Sequence, residues 1–476
     1  MLTRLSGMDT AFFDMETPRA HMHVAATLLL DPSTMPGGPD SARIEERLLL
    51  RLAGQRFFSR RILRPPLGDA VWVSDPRFEL SAHVNRINLG GNASQRELAT
   101  VLGRAAGRQL DHHRPPWELW MIEGLAGGLL AAVIKVHHAA VDGVGGAQML
   151  ASMFDLEPDC DGNDPCDSSG PPEHGALPSS LRLGRWAVES LLKLPARLAD
   201  ALHSTARESA WPALKAMLDP RERLPPAANQ RCRTVLNRTV GPERCVAFAR
   251  VPLDRLKTAG HAYDATVNDM VLTTCSLALR RYLAHVDRMP NGPLVAVVPV
   301  SLDAPSDTPG NHVSIMLIEL PVHLDKPLHQ LLAVKRNATH AKQAYRNMGG
   351  RLLEKWMEVA PHTLVSGAVR SWSTLGLAEW VKPVHSLIIS NVAGPAMALY
   401  AGGARITAAY PLGPVMDGAG LNLTVMSYQG QLDLGILACP RSISDPWRLA
   451  LEFVSAANEL STCCATAADE GEVRAP

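Results

Sequence analysis

Two adjacent histidines, separated by three residues from an aspartate and a glycine, carry the sharpest chemical signal in the chain: His137, His138, Ala139, Ala140, Val141, Asp142, Gly143. The apolar run LLAAVIKV precedes them, and a Gly-rich GVGG and an apolar-periodic stretch follow. The pair therefore stands on a strand-to-helix turn, where a rigid scaffold presents reactive groups. Neighbouring side chains on a strand point to opposite faces, so one histidine can face a cavity while the other faces packed protein. An imidazole so placed can take a proton from a substrate hydroxyl without any protein nucleophile. Asp142 is close enough in sequence to brace the loop or engage an arginine, and Gly143 permits a tight turn. A second pair, His112 and His113, is followed by Arg-Pro-Pro with no acid at that spacing, and is assigned to structure.

Other chemistries are excluded by what is missing. Adjacent strand residues diverge and no H-E-x-x-H occurs, so His137, His138 and Asp142 are not read as a metal site. There is no G-x-S-x-G elbow, no Gly-Lys dipeptide and no G-x-G-x-x-G, which argues against an acyl-serine, a Walker A loop and a dinucleotide fingerprint. The eight cysteines form no C-x-x-C pair, and a large chain with that pattern reads as cytosolic. Lys plus Arg (47) equals Asp plus Glu (47) over 476 residues, leaving no basic excess to hold nucleic acid. The N-terminus has no apolar signal-peptide core. The longest apolar run, residues 125–134, is far shorter than the ~20 residues that cross a bilayer.

The elements that must position the histidines alternate in type. Residues 20–30, 70–73 and 129–136 read as strands, 41–53 and 145–154 as helices. Residues 157–178 are acidic and rich in Pro, Gly and Ser, a solvated linker. Residues 181–218 read as amphipathic helix broken near Pro195 and Pro212. With three more positive than negative charges, this stretch fits a membrane-surface helix. The preferred reading is a long crossover helix packed on the protein, since helices are commonly amphipathic. The alternation then resumes, with strands expected at 246–251, 294–300, 311–320, 386–391 and 421–426 and helices at 265–283 and 445–460. The expected organisation is an α/β lobe at 1–155, linker and crossover at 156–230, and a second lobe at 231–476.

HHAAVDG matches the HHxxxDG motif of the CoA-dependent acyltransferase superfamily. Further segments, in order along nearly the whole chain, resemble the bacterial bifunctional wax ester synthase/diacylglycerol acyltransferase family, of the mycobacterial triacylglycerol synthase type. They are LSGMDTAFFDMETPRAHMHVAATLLLDP, RQLDHHRPPWELWMIEGL, TVNDMVLTTCSLALRRYL, VPVSLDAPSDTPGNHVSIMLIELPV, ISNVAGP and YPLGPVMDGAGLNLTVMSYQGQLDLGI.

The resemblance implies two chloramphenicol-acetyltransferase-like lobes with a channel between them, joined by a long helical crossover. It implies transfer of a long-chain acyl group from acyl-CoA to diacylglycerol or a fatty alcohol. The catalytic set would be His138 as general base, with His137, Asp142 and Asn268, the last in the family's Asn-Asp motif. For Asn268 an oxyanion donor and a helix-end role stay equally open. The substrate-binding set would be Gly143, Trp117, Ser390, Asn391 and Gly394; Ala393 stands where the family usually has proline. No cofactor is expected, because acyl-CoA is itself a substrate and a thioester drives the transfer. The expected location is the cytoplasm, with peripheral contact at the inner membrane or a lipid droplet. A different hydroxyl acceptor, or a lipid-binding paralogue with little turnover, are the competing readings.

Overall fold

The computed structural model describes residues 2–65, 69–140, 153–158, 177–205, 232–301, 313–347 and 352–469. The first half runs β1 (Thr3–Arg4), α1 (Gly7–Asp14), β2 (His23–Asp31), α2 (Ser41–Gly54), β3 (Arg60–Leu63), β4 (Val71–Ser74), β5 (Val84–Ala93), α3 (Gln95–Ala106), β6 (Trp117–Leu125) and β7 (Leu130–His137). A crossover helix, α4 (Ser180–Thr205), leads to β8 (Cys245–Pro252), α5 (Leu253–His261), α6 (Val267–His285), β9 (Leu294–Ser301), β10 (Val313–Leu320) and α7 (Pro327–Asn347). The last part holds α8 (Leu352–Val359), α9 (His362–Thr374), β11 (Leu387–Ala393), β12 (Tyr400–Ala401), β13 (Ala404–Leu412), β14 (Leu421–Tyr428), β15 (Gln431–Ala438) and α10 (Pro446–Asp469).

Two six-stranded mixed sheets form the lobes, as expected for an α/β fold. The first has the order β12-β13-β2-β7-β6-β5, and the second β10-β9-β11-β14-β15-β8. In the first sheet the period-2 alternation of β7 decides the layers. Leu130, Ala132, Ile134 and Val136 join one core with Ile44, Leu48 and Leu52 of α2. Ala131 and Val133 face the other, with Leu98, Val101 and Leu102 of α3. In the second lobe α6 is buried almost all round, with Met270, Val271, Leu272, Cys275, Leu279 and Leu283 inaccessible to solvent. A helix apolar on every side must sit inside a core.

The lobes are stitched together by strand exchange. Residues 400–412 come from the second half, yet β13 pairs antiparallel with β2, Tyr410 opposite Thr27 and Leu412 opposite Ala25. The stitch is fastened by Asp433, fully buried on β15. Its carboxylate accepts from Ala409 N (2.9 Å) and from Arg250, whose other donor bond goes to Thr407 O (2.6 Å). A buried carboxylate is tolerated because its oxygens are occupied in this way. Gly435 lies beside it, and a Cβ there would collide with the Pro411 carbonyl.

One expectation needs correcting. The chain does not break at Pro195: α4 runs through it. Proline removes one helical hydrogen bond, and both Pro195 and Leu191 lie on the exposed side of the helix. The buried face, Ala187, Ser190, Ala201 and Ser204, lies on both sides of the proline. On that side α4 meets α8, where Lys355 Nζ and Trp356 Nε1 donate to Ser204 (2.5 Å) and Thr205 (3.0 Å). The expected helix at 145–154, the linker and residues 206–218 fall largely outside the described residues.

Candidate active site

The histidine pair sits where β7 ends. Lys135, on the α3 side of the strand, donates to the carbonyls of Ala105 (3.0 Å) and Arg108 (2.6 Å) and lies 3.3 Å from Glu118. This buried cation caps carbonyls at and just beyond the C-terminus of α3, where positive charge is favoured. His137 continues the same side and is wholly buried. His138 follows on a short 3-10 turn, His138–Ala140, pinned by its N–H to Met22 O (2.7 Å), and is only half-buried.

Helix α1 reaches both imidazoles. It starts at a capping box, Ser6 and Asp9 each bonding the other's backbone N–H. Phe12 stacks face to face on His138, ring centroids 4.0 Å apart and planes 13° from parallel. Phe13 lies 5.2 Å from the His137 ring and 4.7 Å from His112. Just past the helix, the buried Glu16 carboxylate sits 2.7 Å from His112 Nε2, 3.3 Å from His137 Nε2 and 3.4 Å from His23 Nε2. His112, assigned to structure from sequence, thus joins the neighbourhood of the His137–His138 pair.

Hydrogen bonding fixes two of these rings. Ala139 N–H donates to His137 Nδ1 (3.1 Å), so a neutral His137 carries its proton on Nε2, facing Glu16. Leu110 N–H donates to His23 Nε2 (3.3 Å), which leaves that nitrogen bare. Burial alone would raise the Glu16 carboxyl, but contacts with His112, His137 and His23 outweigh it and hold it well below the usual carboxylate range. Burial drives His23 far below the ordinary imidazole value, and Lys135 adds to the effect. Burial also lowers His21, helped by Arg244. A second charged cluster anchors the other side of α1: Asp14 meets Arg64 and His362 Nδ1 (3.1 Å), while Asp69 meets Arg4 (2.5 Å) and Arg197 of α4 (2.9 Å).

The remaining sequence candidates are spread over both lobes. Asn268 occupies the second position of α6, half-buried. The capping work at that end is done by Thr266 and Asp269, which form a capping box, so Asn268 is not the cap. No hydrogen bond joins it to either histidine. Trp117 is packed in the core, stacked on His83 (4.5 Å) with its indole N–H donated to Phe58 O (2.8 Å). Ser390 and Asn391 lie on β11, paired in parallel with Thr424 and Val425 of β14. Gly394 N–H donates to Ser427 Oγ (3.2 Å), and a Cβ at Gly394 would collide with the Ser427 carbonyl. Asp142 and Gly143 lie outside the described residues. Among the described residues no group of three or more His, Cys, Asp or Glu could hold a metal ion.

Sequence reasoning missed Phe12, Phe13, Glu16 and His23 as neighbours of the pair. The only local signal was an acid followed closely by a His-x-His, Glu16 before His21 and His23.

Two family models match this chain. The wax ester synthase/diacylglycerol acyltransferase catalytic domain covers residues 5–271, and the corresponding C-terminal domain covers 309–461. The chain belongs to the wax ester synthase/diacylglycerol acyltransferase family. It is an acyltransferase. A Mycobacterium tuberculosis protein named as a diacylglycerol O-acyltransferase is 34% identical over 466 residues, covering 97% of this chain and 91% of the relative. Another from that organism, tgs2, is 31% identical over 459 residues, 95% of this chain and 97% of the relative. Among solved structures, the wax ester synthase/diacylglycerol acyltransferase from Marinobacter aquaeolei VT8 is similar, with TM-score 0.67 and 26% identity over 97% of this chain and all of that one. The first condensation domain of the calcium-dependent antibiotic synthetase, TM-score 0.57 at 17% identity, shares the fold of this acyltransferase.

The buried histidines make the fold acid-sensitive. His21 and His23 have folded-state values below the ordinary 6.5, so the unfolded chain binds more protons as pH falls. Their stabilisation is present above pH 6.5 and is lost as acid is added below it; Glu16 adds a further loss below its ordinary 4.5. Thermal melting across pH 7.5 to 4.5 should show a midpoint that falls on acidification, beginning near 6.5; a flat profile would contradict this assignment.

Proposed function

We propose that this acyltransferase moves a long-chain acyl group from acyl-CoA to the hydroxyl of diacylglycerol, forming triacylglycerol, and to fatty alcohol as a second acceptor, with His138 as general base. The observation that carries the assignment of the base is the contrast within the pair. His137 is wholly buried against Glu16, whereas His138 is half-buried on a pinned turn with its ring plane set by Phe12.

In this reading His138 accepts the hydroxyl proton as the acceptor oxygen attacks the thioester carbonyl. The tetrahedral oxyanion collapses, the C–S bond breaks, and the proton passes to the departing thiolate. The thioester is the higher-energy ester, so no further cofactor enters the balance. Asn268 is the proposed oxyanion donor, and such donors contribute ~3–4 kcal/mol. Ser390, Asn391 and Gly394 are proposed to border the substrate path, and Asp142 to hold the catalytic loop.

The acceptors are lipids, and the protein has a surface suited to them. Among the described residues no helix is long and apolar enough to cross a membrane. Helix α4 instead exposes a row of large apolar side chains, Leu181 (87% exposed), Val188, Leu191, Leu192 (75%), Leu198 and Leu202, interspersed with Arg182, Arg185 and Lys193. Leu364 on α9 and Trp380 (82%) beyond it are exposed as well. Exposed apolar area of this kind marks interaction surfaces, and about 0.8 kcal/mol is gained per CH₂ buried in lipid. We assign α4 as the edge that rests on the inner membrane or a lipid droplet in the cytoplasm.

Labelled palmitoyl-CoA offered with diacylglycerol and with hexadecanol should yield both esters. His138→Ala should abolish them, and Asn268→Ala should lower kcat by ~10²–10³. Ester formed by folded His138→Ala at near wild-type rate would remove His138 from its role; absence of both esters with the wild type would point to another hydroxyl acceptor or a binding protein. In vesicle flotation, Leu181→Ser combined with Leu192→Ser should lower the lipid-bound fraction, and unchanged binding would remove α4 from the lipid edge.

A further inference from the structure

We propose that Glu16 is a positioning residue for acyl transfer, setting the orientation and tautomer of His137 and thereby the turn that presents His138. The proposal rests on the reading of His138 as general base. Glu16 touches neither reacting atoms nor substrate; it acts through its neighbour.

The links are consecutive. Glu16 Oε2 faces His137 Nε2 at 3.3 Å. The opposite nitrogen of that ring, Nδ1, accepts from Ala139 N–H at 3.1 Å. Ala139 is the residue after His138, so the imidazole of His137 is clipped between a fixed carboxylate and the backbone of the catalytic turn. If the ring rotated or its proton moved to Nδ1, Ala139 N–H would face another donor, and an unmade hydrogen bond in a buried site is costly. Glu16 thus selects the tautomer that holds the turn closed, as carboxylate partners orient imidazoles elsewhere.

The carboxylate is enclosed from several sides. His112 Nε2 lies 2.7 Å from the same oxygen, His23 Nε2 lies 3.4 Å from the other, and Phe13 fills the space between His112 and His137. Lys135 and His21 stand behind His23, with Arg244 beyond His21. Glu16 is therefore a fixed negative charge beside His137, the residue that immediately precedes the proposed base. A negative charge near an imidazole favours its protonated form, the form His138 adopts in the transition state. Because Phe12 stacks on His138 and Glu16 follows four residues later, one short segment sets the ring plane of one histidine and the tautomer of the other.

Four proteins distinguish the outcomes: wild type, Glu16→Gln, Glu16→Asp and His138→Ala, each assayed for ester formation from labelled palmitoyl-CoA across pH. For Glu16→Gln the expected result is a kcat lower by ~100-fold, the scale of a misplaced catalytic group, with KM for palmitoyl-CoA little changed. Its acid limb should also shift to lower pH, since a charge favouring protonated His138 is gone. Glu16→Asp keeps the charge and should keep the wild-type acid limb, with kcat between the two. Wild-type kcat and acid limb in Glu16→Gln, beside an inactive His138→Ala, would overturn the role of Glu16 and leave the base intact. Equal losses in Gln and Asp with an unmoved acid limb would mean packing alone and would also overturn it. An active His138→Ala overturns the general-base reading itself. Should Glu16→Gln fail to fold, reduced kcat with unchanged KM in Glu16→Asp supports the proposal, and wild-type kcat in Glu16→Asp overturns it.

Discussion

A carboxylate taken out of water needs compensating partners, and the Glu16 side chain lies against imidazoles from three separate parts of the chain. His23 comes from β2, His112 from the loop before β6 and His137 from the end of β7. An unpaired carboxylate at this depth would cost several kcal/mol, so the cluster forms only when all three segments are in register. His23 and His137 are direct partners in the β2–β7 ladder, which means that sheet pairing and side-chain clustering specify the same register. The turn bearing His138 is thereby attached where the β2–β7 ladder and the Glu16 cluster meet.

From that point the rest of the acyltransferase can be followed outward. Helix α1 lies on the histidine turn, and α8 and α9 lie on α1 through Glu358, which takes the Gly7 N–H and meets Arg4, and through His362, which meets Asp14. The crossover α4 is held to the same assembly by Arg197 on Asp69 and by Trp186 Nε1 donating to the Asp69 carbonyl (3.3 Å). The apolar outer face of α4 is thus mechanically joined, through α8 and α1, to the ring of His138. The two lobes are joined as well, since β13 completes the first sheet while Asp433 of the second lobe grips it.

Much of this was legible in the sequence because local pattern decided it. Val136 and the apolar residues before it had to form a strand, and the histidines had to fall at its end. Ile44, Leu48 and Leu52 had to face a core. The family could be read from motifs dispersed along the chain. Glu16 was not legible: its partners lie 7, 96 and 121 residues away, and nothing in local spacing joins an acid to His112. The crossing of β13 into the first sheet was hidden for the same reason, since pairing between distant strands leaves no periodic mark. Pro195 misled because local propensity was overridden by packing: Ala187 and Ser190 before the proline and Ala201 and Ser204 after it are buried on the same continuous helix.

The most direct test of this account is the tautomer of His137, read by long-range proton–nitrogen NMR of the histidine-labelled wild-type protein near neutral pH. The account requires the ring proton on Nε2 and an Nδ1 that accepts from Ala139. A ring protonated on Nδ1, or one averaging rapidly between tautomers, would show that Glu16 does not hold the turn that bears His138.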